Sequence, residues 1–274
     1  MTKFSLGFKQ SQLLMLYIIL KLIFRIIYLK LNKFKYLLYL IYVKAVILAG
    51  GQGKRLRPIT ETIPKPLIRI HSKPIIAYQM EWLKKFGVEE FIICVSHLKE
   101  KFIEEIGSGR SFMVKVAYVV EDEPLGTGGG LKNAEYLLKG EEFFYVVNGD
   151  VITNLNPIEL LKVFDSSTVG VIALIPLPSP YGIVKVNNGN FVKSFSEKPQ
   201  ILDYWINAGV YVFKPDIFNY LPNKGDIEKT AFPQLARENK LKAVKYHEVI
   251  WKSIDTHKDI EEVEKIISTG LICS

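Results

Sequence analysis

Leu48-Ala49-Gly50-Gly51-Gln52-Gly53-Lys54-Arg55-Leu56-Arg57-Pro58, with Pro64-Lys65-Pro66-Leu67 shortly after it, is the stretch whose reading decides the fold. Lys44-Ala45-Val46-Ile47-Leu48 leads into it. That run is apolar, brief, β-branched and bounded by glycine, which predicts a short buried strand. Glycines directly after a strand let the backbone turn tightly and expose N–H groups to an anion. Lys54, Arg55 and Lys65 place fixed positive charge beside those donors. Together these features make a phosphate cradle at a strand end. A dinucleotide fingerprint needs a third glycine that the residues after Gly53 do not supply. A Walker A loop needs Ser or Thr after Gly-Lys, where this chain has Arg55. The plain alternative is a solvated basic loop between a strand and a helix.

Outward from this loop the pattern alternates. Pro74–Phe86 reads as a helix with an apolar stripe and Gly87 beyond its end. Glu89–Val95 reads as a strand, Leu98–Ile106 as a short helix, and Val114–Val120 as a strand. Leu131–Leu138 is helical, Phe143–Val147 a buried strand, Pro157–Phe164 a helix and Val169–Ile175 a strand. Such alternation predicts an α/β protein with a mostly parallel sheet and helices on both faces. From Tyr181 the strands are shorter and hairpin-like: Gly182–Val186 and Asn190–Ser196 flank Asn187-Asn188-Gly189. Asn207–Phe213 and Leu241–His247 are further strands, and Ile260–Ile267 is a closing helix. Neither an internal repeat nor a low-complexity linker follows residue 43.

The 274 residues allow one large domain or two small ones, and the net charge of +8 is unevenly placed. Residues 1–43 hold Lys3, Lys9, Lys21, Arg25, Lys30, Lys33 and Lys35 and no acid, so they account for +7 and leave +1 for residues 44–274. A nearly neutral body has no electrostatic footprint for nucleic acid. Cys94 sits in an apolar strand-like run and Cys273 at the extreme end, a pairing that indicates no disulfide framework and a reducing, cytoplasmic compartment. Leu13–Leu29 is apolar but broken by Lys21 and Arg25, which makes it a poor membrane span. Two readings of the N-terminal extension, residues 1–43, stand: a basic interfacial helix that would bring the protein to a membrane surface, or translation of residues 1–42 upstream of a start at Val43. The second is favoured. His71, His97, His247 and His257 show no metal-ligand spacing.

The glycine-rich run resembles, almost letter for letter, the signature L-A-G-G-x-G-x-R-L-x-P followed by P-K-P-L of the sugar-1-phosphate nucleotidylyltransferases. Val43 falls where members of that family ordinarily begin. The resemblance covers about 230 residues and implies a Rossmann-like three-layer sandwich of the nucleotide-diphospho-sugar transferase type, with a mixed, mostly parallel sheet. It also implies attack of a sugar 1-phosphate on the α-phosphorus of a nucleoside triphosphate, with release of pyrophosphate. Leu48, Ala49, Gly50, Gly51, Gly53 and Lys54 would then bind nucleotide, and Arg55 would grip the triphosphate bidentately. Lys65 would reach the phosphates of both reactants as a compact charge.

Asn148-Gly149-Asp150 resembles the family's metal-binding N-G-D, although Asn-Gly between apolar runs is also a hairpin turn. The resemblance makes Asp150 and Asp255 the ligands of Mg2+. Asp255 lies in Trp251-Lys252-Ser253-Ile254-Asp255-Thr256, where an ungapped match to W-x-D-x-G-T puts Ser253 at the aspartate instead, and where Asp255 could also cap the closing helix. Arg55, Lys65, Asp150 and Asp255 are thus the catalytic candidates. Glu121-Asp122-Glu123-Pro124-Leu125-Gly126-Thr127-Gly128-Gly129 resembles the base-reading E-x-x-P-L-G-T-[AG]-G segment, which assigns Glu121, Gly126 and Thr127 to the nucleotide, with Thr127 capping a helix near Leu131. A carboxylate only accepts hydrogen bonds, and guanine offers it two adjacent donors. The P-L-G-T form is most familiar from mannose-1-phosphate guanylyltransferases, so GTP with mannose 1-phosphate is favoured over UTP or dTTP with glucose or heptose 1-phosphate, or a non-catalytic nucleotide-sugar-binding subunit. On the sugar side, Gly182 of Tyr181-Gly182-Ile183-Val184, Glu197 and Lys198 of Glu197-Lys198-Pro199, and Asn207 of Ile206-Asn207-Ala208-Gly209 match the family's sugar-phosphate positions. The resemblance leaves a homo-oligomer open.

Overall fold

The chain divides into two units, Met1–Tyr42 and Val43–Ser274, and the computed structural model describes residues 43–270. The readings of the N-terminal extension and of Cys273 lie outside the described residues.

Lys44–Leu48 forms β1, buried along its middle, as the apolar run from Ala45 to Leu48 requires of a strand covered on both faces. The chain continues through α1 (Ile75–Lys84), β2 (Glu90–Val95), α2 (Lys99–Ile106), β3 (Lys115–Val120), α3 (Gly126–Asn133) and β4 (Phe144–Asn148). Next come β5 (Val151–Thr153), β6 (Gly170–Pro178), β7 (Ile183–Val186), β8 (Val192–Ser196) and β9 (Gln200–Phe213). The last elements are α4 (Ala231–Arg237), β10 (Leu241–Lys245), β11 (Trp251–Ser253) and α5 (His257–Ser268).

A seven-stranded sheet has the order β10-β6-β9-β4-β1-β2-β3. β1 pairs in parallel with β2 and β4, β2 with β3, and β10 with β6. β9 alone runs against its neighbours β4 and β6. The mostly parallel, mixed sheet is therefore as the sequence predicts. Side-chain alternation along β1 sorts the core into two layers. Ala45 and Ile47 join Ile76, Met80, Leu83 and Phe102 of α1 and α2. Val46 joins Leu131, Phe232 and Leu235 on the α3 and α4 side. A third cluster of Leu56, Ile68, Ile70, Tyr78, Ile152, Ile254 and Val263 fastens the segment after the glycine loop to β5, β11 and α5.

Several elements differ from the sequence reading: β5 and β11 are additional strands, the helix expected over Pro157–Phe164 is confined to Ile158–Leu161, and two further elements have other bounds. The helix expected from Leu131 begins five residues earlier, at Gly126, and breaks near Ala134 before Glu135–Leu138. Glycine is a poor helix former, so tertiary contact decides here. β9 runs for 14 residues rather than starting at Asn207, because its exposed first half pairs with the end of β6 across two register shifts. Among the described residues, no helix is long and apolar enough to cross a membrane.

Candidate active site

β1 and β4 are adjacent and parallel, so their carboxyl ends deliver the glycine loop and Asn148-Gly149-Asp150 to the same edge. Ala49 N–H donates to Cys94 O, and Gly149 N–H donates to Leu48 O at 3.0 Å. A Cβ on Gly149 would lie 2.8 Å from Leu48 O, so only glycine fits there. Asn148-Gly149-Asp150 is not a hairpin turn, because β5 pairs with β11 instead of folding back on β4. Gln79, buried in α1, clamps this bend by donating through Nε2 to the carbonyls of Asn148 and Val151, both at 2.8 Å. A polar residue inside the apolar stripe of that helix is the sequence signal for Gln79.

The β5–β11 ladder sets the rest. Ser253 opposes Val151, and Ile254 N–H donates to Asp150 O at 3.0 Å. That register carries Asp255 to the side of Asp150. Lys65 Nζ then donates to Asp150 Oδ2 at 2.6 Å and to Asp255 Oδ1 at 2.8 Å. Arg55 Nη1 stands 3.4 Å from Asp255 Oδ2, and Ser253 Oγ donates to the same oxygen at 3.2 Å. Burial pushes the Asp255 carboxyl up. The Lys65 hydrogen bond, the charges of Lys65 and Arg55, and the Ser253 hydroxyl outweigh that effect and hold it below the usual carboxylate range. Asp255 does not cap the closing helix: Thr256 does, in a capping box with Asp259. Lys65 itself is held by its backbone. Leu67 N–H bonds Pro64 O and Ile68 N–H bonds Lys65 O in a single turn.

Two cavities flank Lys65. One of about 290 Å³ is lined by Leu48, Ala49, Gly50, Gly51, Gln52, Lys65, Pro66, Glu121, Pro124, Gly126, Thr127, Asn148, Gly149, Asp150 and Asp226. The other, of about 240 Å³, is lined by Gly51, Gly53, Lys54, Arg55, Leu56, Lys65, Asp150 and Asp255. They share Gly51, Lys65 and Asp150. The first has the dimensions and mixed lining of a small-molecule site, and the second presents cations and bare backbone to an anion. Gly53 adopts φ +59°, and a Cβ there would meet Thr60 Cγ2 at 2.8 Å. Gly51 has nothing within 4 Å of its Cβ position, so its lack of a side chain serves the open groove and not packing.

Glu121 is buried between the glycine loop and α3. Its Oε2 accepts from Leu125 N–H at 3.0 Å. A Cβ on Gly50 or Gly130 would come within 3.0 or 2.6 Å of its Oε1. Burial raises its carboxyl, with the Leu125 hydrogen bond opposing. Thr127 lies inside α3 rather than capping a helix near Leu131. Its hydroxyl donates to Glu228 Oε2 at 2.7 Å and accepts from Ile227 N–H at 2.9 Å. The glycines of α3 admit the backbone of residues 222–226: Gly128 and Gly129 N–H groups donate to Gly225 O. Gln52 and Asn148 reach the larger cavity from the glycine loop and from the end of β4, both within stretches the sequence reading singles out, while Asp226 reaches it without a sequence signal, brought there by loop packing.

The sugar-side candidates stand apart from these cavities. Gly182, Glu197 and Lys198 belong to the β7–β8 hairpin, whose strands are exposed throughout. A Cβ on Gly182 would lie 2.7 Å from Phe195 Cζ. Asn207 Nδ2 donates to Tyr211 Oη at 2.7 Å, and its Oδ1 accepts from Gly209 N–H at 3.0 Å. None of the four lines either cavity.

Residues 44–270 match the family model described as nucleotidyl transferase. The chain is 36% identical over 229 residues to mannose-1-phosphate guanyltransferase of Hypocrea jecorina, covering 79% of this chain and 62% of that protein. It is 37% identical over 226 residues to mannose-1-phosphate guanylyltransferase catalytic subunit beta of Danio rerio, with the same two coverages. The chain thus spans about 62% of the length of these relatives. Among solved structures, HddC from Yersinia pseudotuberculosis superposes with a TM-score of 0.65 at 27% identity, over 82% of this chain and 100% of that one. HddC complexed with GMP-PN gives a TM-score of 0.63 at the same identity and coverages.

Proposed function

The chain belongs to the nucleotidyl transferase family, and from that premise we propose that it transfers a nucleotidyl group from GTP to mannose 1-phosphate, yielding a nucleotide sugar and pyrophosphate. The observation that carries this reading is the Lys65 ammonium set between Asp150 and Asp255, where the glycine-loop cavity and the cationic groove meet. Support for the substrates comes from the relatives named for mannose 1-phosphate and guanylyl transfer, and from HddC, solved with GMP-PN.

In the reaction an oxygen of the sugar phosphate bonds to the α-phosphorus, and the bond from that phosphorus to the α–β bridging oxygen breaks. Both reactants are polyanions, so alignment and charge neutralisation carry most of the rate. The nucleoside enters the larger cavity beside Glu121 and Gly126, and its phosphates run under the bare loop toward Lys54 and Arg55. Arg55, exposed and tied only loosely to Asp255, is free to turn onto the triphosphate. Lys65 spans the boundary between the two cavities and so reaches the phosphate being attacked.

Asp150 and Asp255 are the residues that would hold Mg2+. Among the described residues, no group of three or more His, Cys, Asp or Glu side chains could hold a metal. A cation on this pair would complete its shell with phosphate oxygens and water, which is magnesium's habit, so the donor set fits. When bound, it would offset charge on the α-phosphate and the leaving pyrophosphate.

The test is a pyrophosphate-release screen of the four common nucleoside triphosphates against a panel of sugar 1-phosphates, with magnesium present. The reading expects GTP with mannose 1-phosphate to lead. Silence across the whole panel would overturn it.

A further inference from the structure

Lys65 is the part of the site with two competing claims on it. Its ammonium touches both carboxylates at 2.6 and 2.8 Å, and its side chain is only 11% exposed, so water screens its charge poorly. Magnesium sits about 2.0–2.1 Å from its oxygens and likewise takes one or two carboxylates. Two cations cannot share one narrow gap between the same oxygens. An ammonium and a divalent cation a few ångströms apart in a poorly screened site repel strongly.

We infer that Lys65 and a divalent cation compete for Asp150 and Asp255. The lysine holds the pair together in the free protein and moves onto phosphate when a metal–nucleotide arrives. This rests on the proposed nucleotidyl transfer. The backbone favours such an exchange by the side chain alone. The turn from Pro64 to Ile68 is closed by hydrogen bonds, while Lys65 lines both flanking cavities, so its head has room on either side. Lysine suits the task because its charge rides on a flexible four-carbon stem. Without Lys65, Asp150 and Asp255 would face each other as like charges with only the looser Arg55 contact on Asp255 to offset them. The consequence is that metal alone binds weakly, and nucleotide phosphate relieves the competition by giving the ammonium another partner.

The probe is Mn2+ alone, titrated into the full-length protein and read by the electron paramagnetic resonance of the free ion. Lys65→Met, which keeps the stem and deletes the charge, is expected to bind Mn2+ more tightly than wild type by on the order of tenfold or more. Lys65→Arg, which keeps the charge, is expected to remain weak. Adding Asp150→Asn to Lys65→Met is expected to remove the gain, which ties it to this pair. Unchanged or weaker Mn2+ binding in Lys65→Met overturns the inference, as does a gain that survives Asp150→Asn. Should Lys65→Met not fold, wild type decides. The Nζ signal of labelled Lys65 is expected to leave its ion-paired position when Mg2+ and a non-hydrolysable GTP analogue are added together, and a signal that stays put overturns the inference. Pyrophosphate release by wild type is scored separately, so an active enzyme with no exchange sinks this inference and spares the assigned reaction.

Discussion

Asp255 is the residue on which pH should tell most directly. Its carboxyl is held below the usual range by Lys65 and Arg55 against the pull of burial. A depressed folded-state value means that the stability it contributes is fully present above the ordinary carboxylate value and is lost as pH falls through the lowered one. Melting temperatures taken from roughly pH 5 down to pH 3 should therefore drop more steeply for wild type than for Asp255→Asn. Glu121 is the opposite case. Burial raises its value, so its contribution is full in acid and is lost as pH rises through the folded-state value. At neutral pH Glu121→Gln should melt higher than wild type, keep the Leu125 N–H bond through the amide oxygen, and hold GTP less tightly. A lower melting temperature would show that the carboxylate is needed for the loop itself. Lys65→Ala and Asp150→Asn should each cut turnover by on the order of 10²–10³-fold while circular dichroism stays native. A rate near wild type in either variant contradicts the assigned roles.

Among the elements, α3 shows most clearly how tertiary packing overrules local preference. By propensity alone Ala should improve on Gly in a helix by about 1 kcal/mol. At Gly129 a Cβ would sit 2.6 Å from Asn223 O, a backbone atom with little freedom to withdraw. Gly129→Ala is therefore expected to destabilise by about 1–3 kcal/mol in urea melts. Gly51→Ala is the matched contrast: its Cβ position is open, so the fold should be untouched while GTP affinity falls. Equal destabilisation by the two substitutions would mean that the loop packs more closely than its open surroundings indicate. β5 and β11, only three residues each, matter beyond their size because their pairing is what brings residue 255 to residue 150.

Across the whole molecule, the larger cavity draws on β1, the end of β3, the start of α3, the end of β4 and the loop at Asp226. A nucleotide bridging them binds only the folded state, so it should raise the melting temperature. At a hundred times Kd the gain is about 2.7 kcal/mol. GTP with magnesium is expected to give a larger shift than UTP at equal concentration, and the reverse order would redirect the base assignment. The β7–β8 hairpin lies outside this bridge, with Phe191, Val192 and Phe195 exposed. Nucleotide should leave the melting of the hairpin's own contacts unaffected.

The alternation of strands and helices and the glycine loop after β1 with its cations, Lys65 among them, were legible in the sequence, because hydrophobic period and turn chemistry are local properties of the chain. Asp150 was legible only through the family resemblance, since local turn chemistry alone reads Asn148-Gly149 as a hairpin. Asp226 was not legible, since only a loop packed from elsewhere in the chain brings it to the cavity. Gln79 stands out locally as a polar residue in an apolar stripe, but the carbonyls it holds lie 69 and 72 residues away, beyond what a local pattern specifies. The choice between Asp255 as a helix cap and as the companion of Asp150 also lay beyond sequence. Only the β5–β11 register decides it, because strand pairing is a long-range contact that no local run of residues encodes.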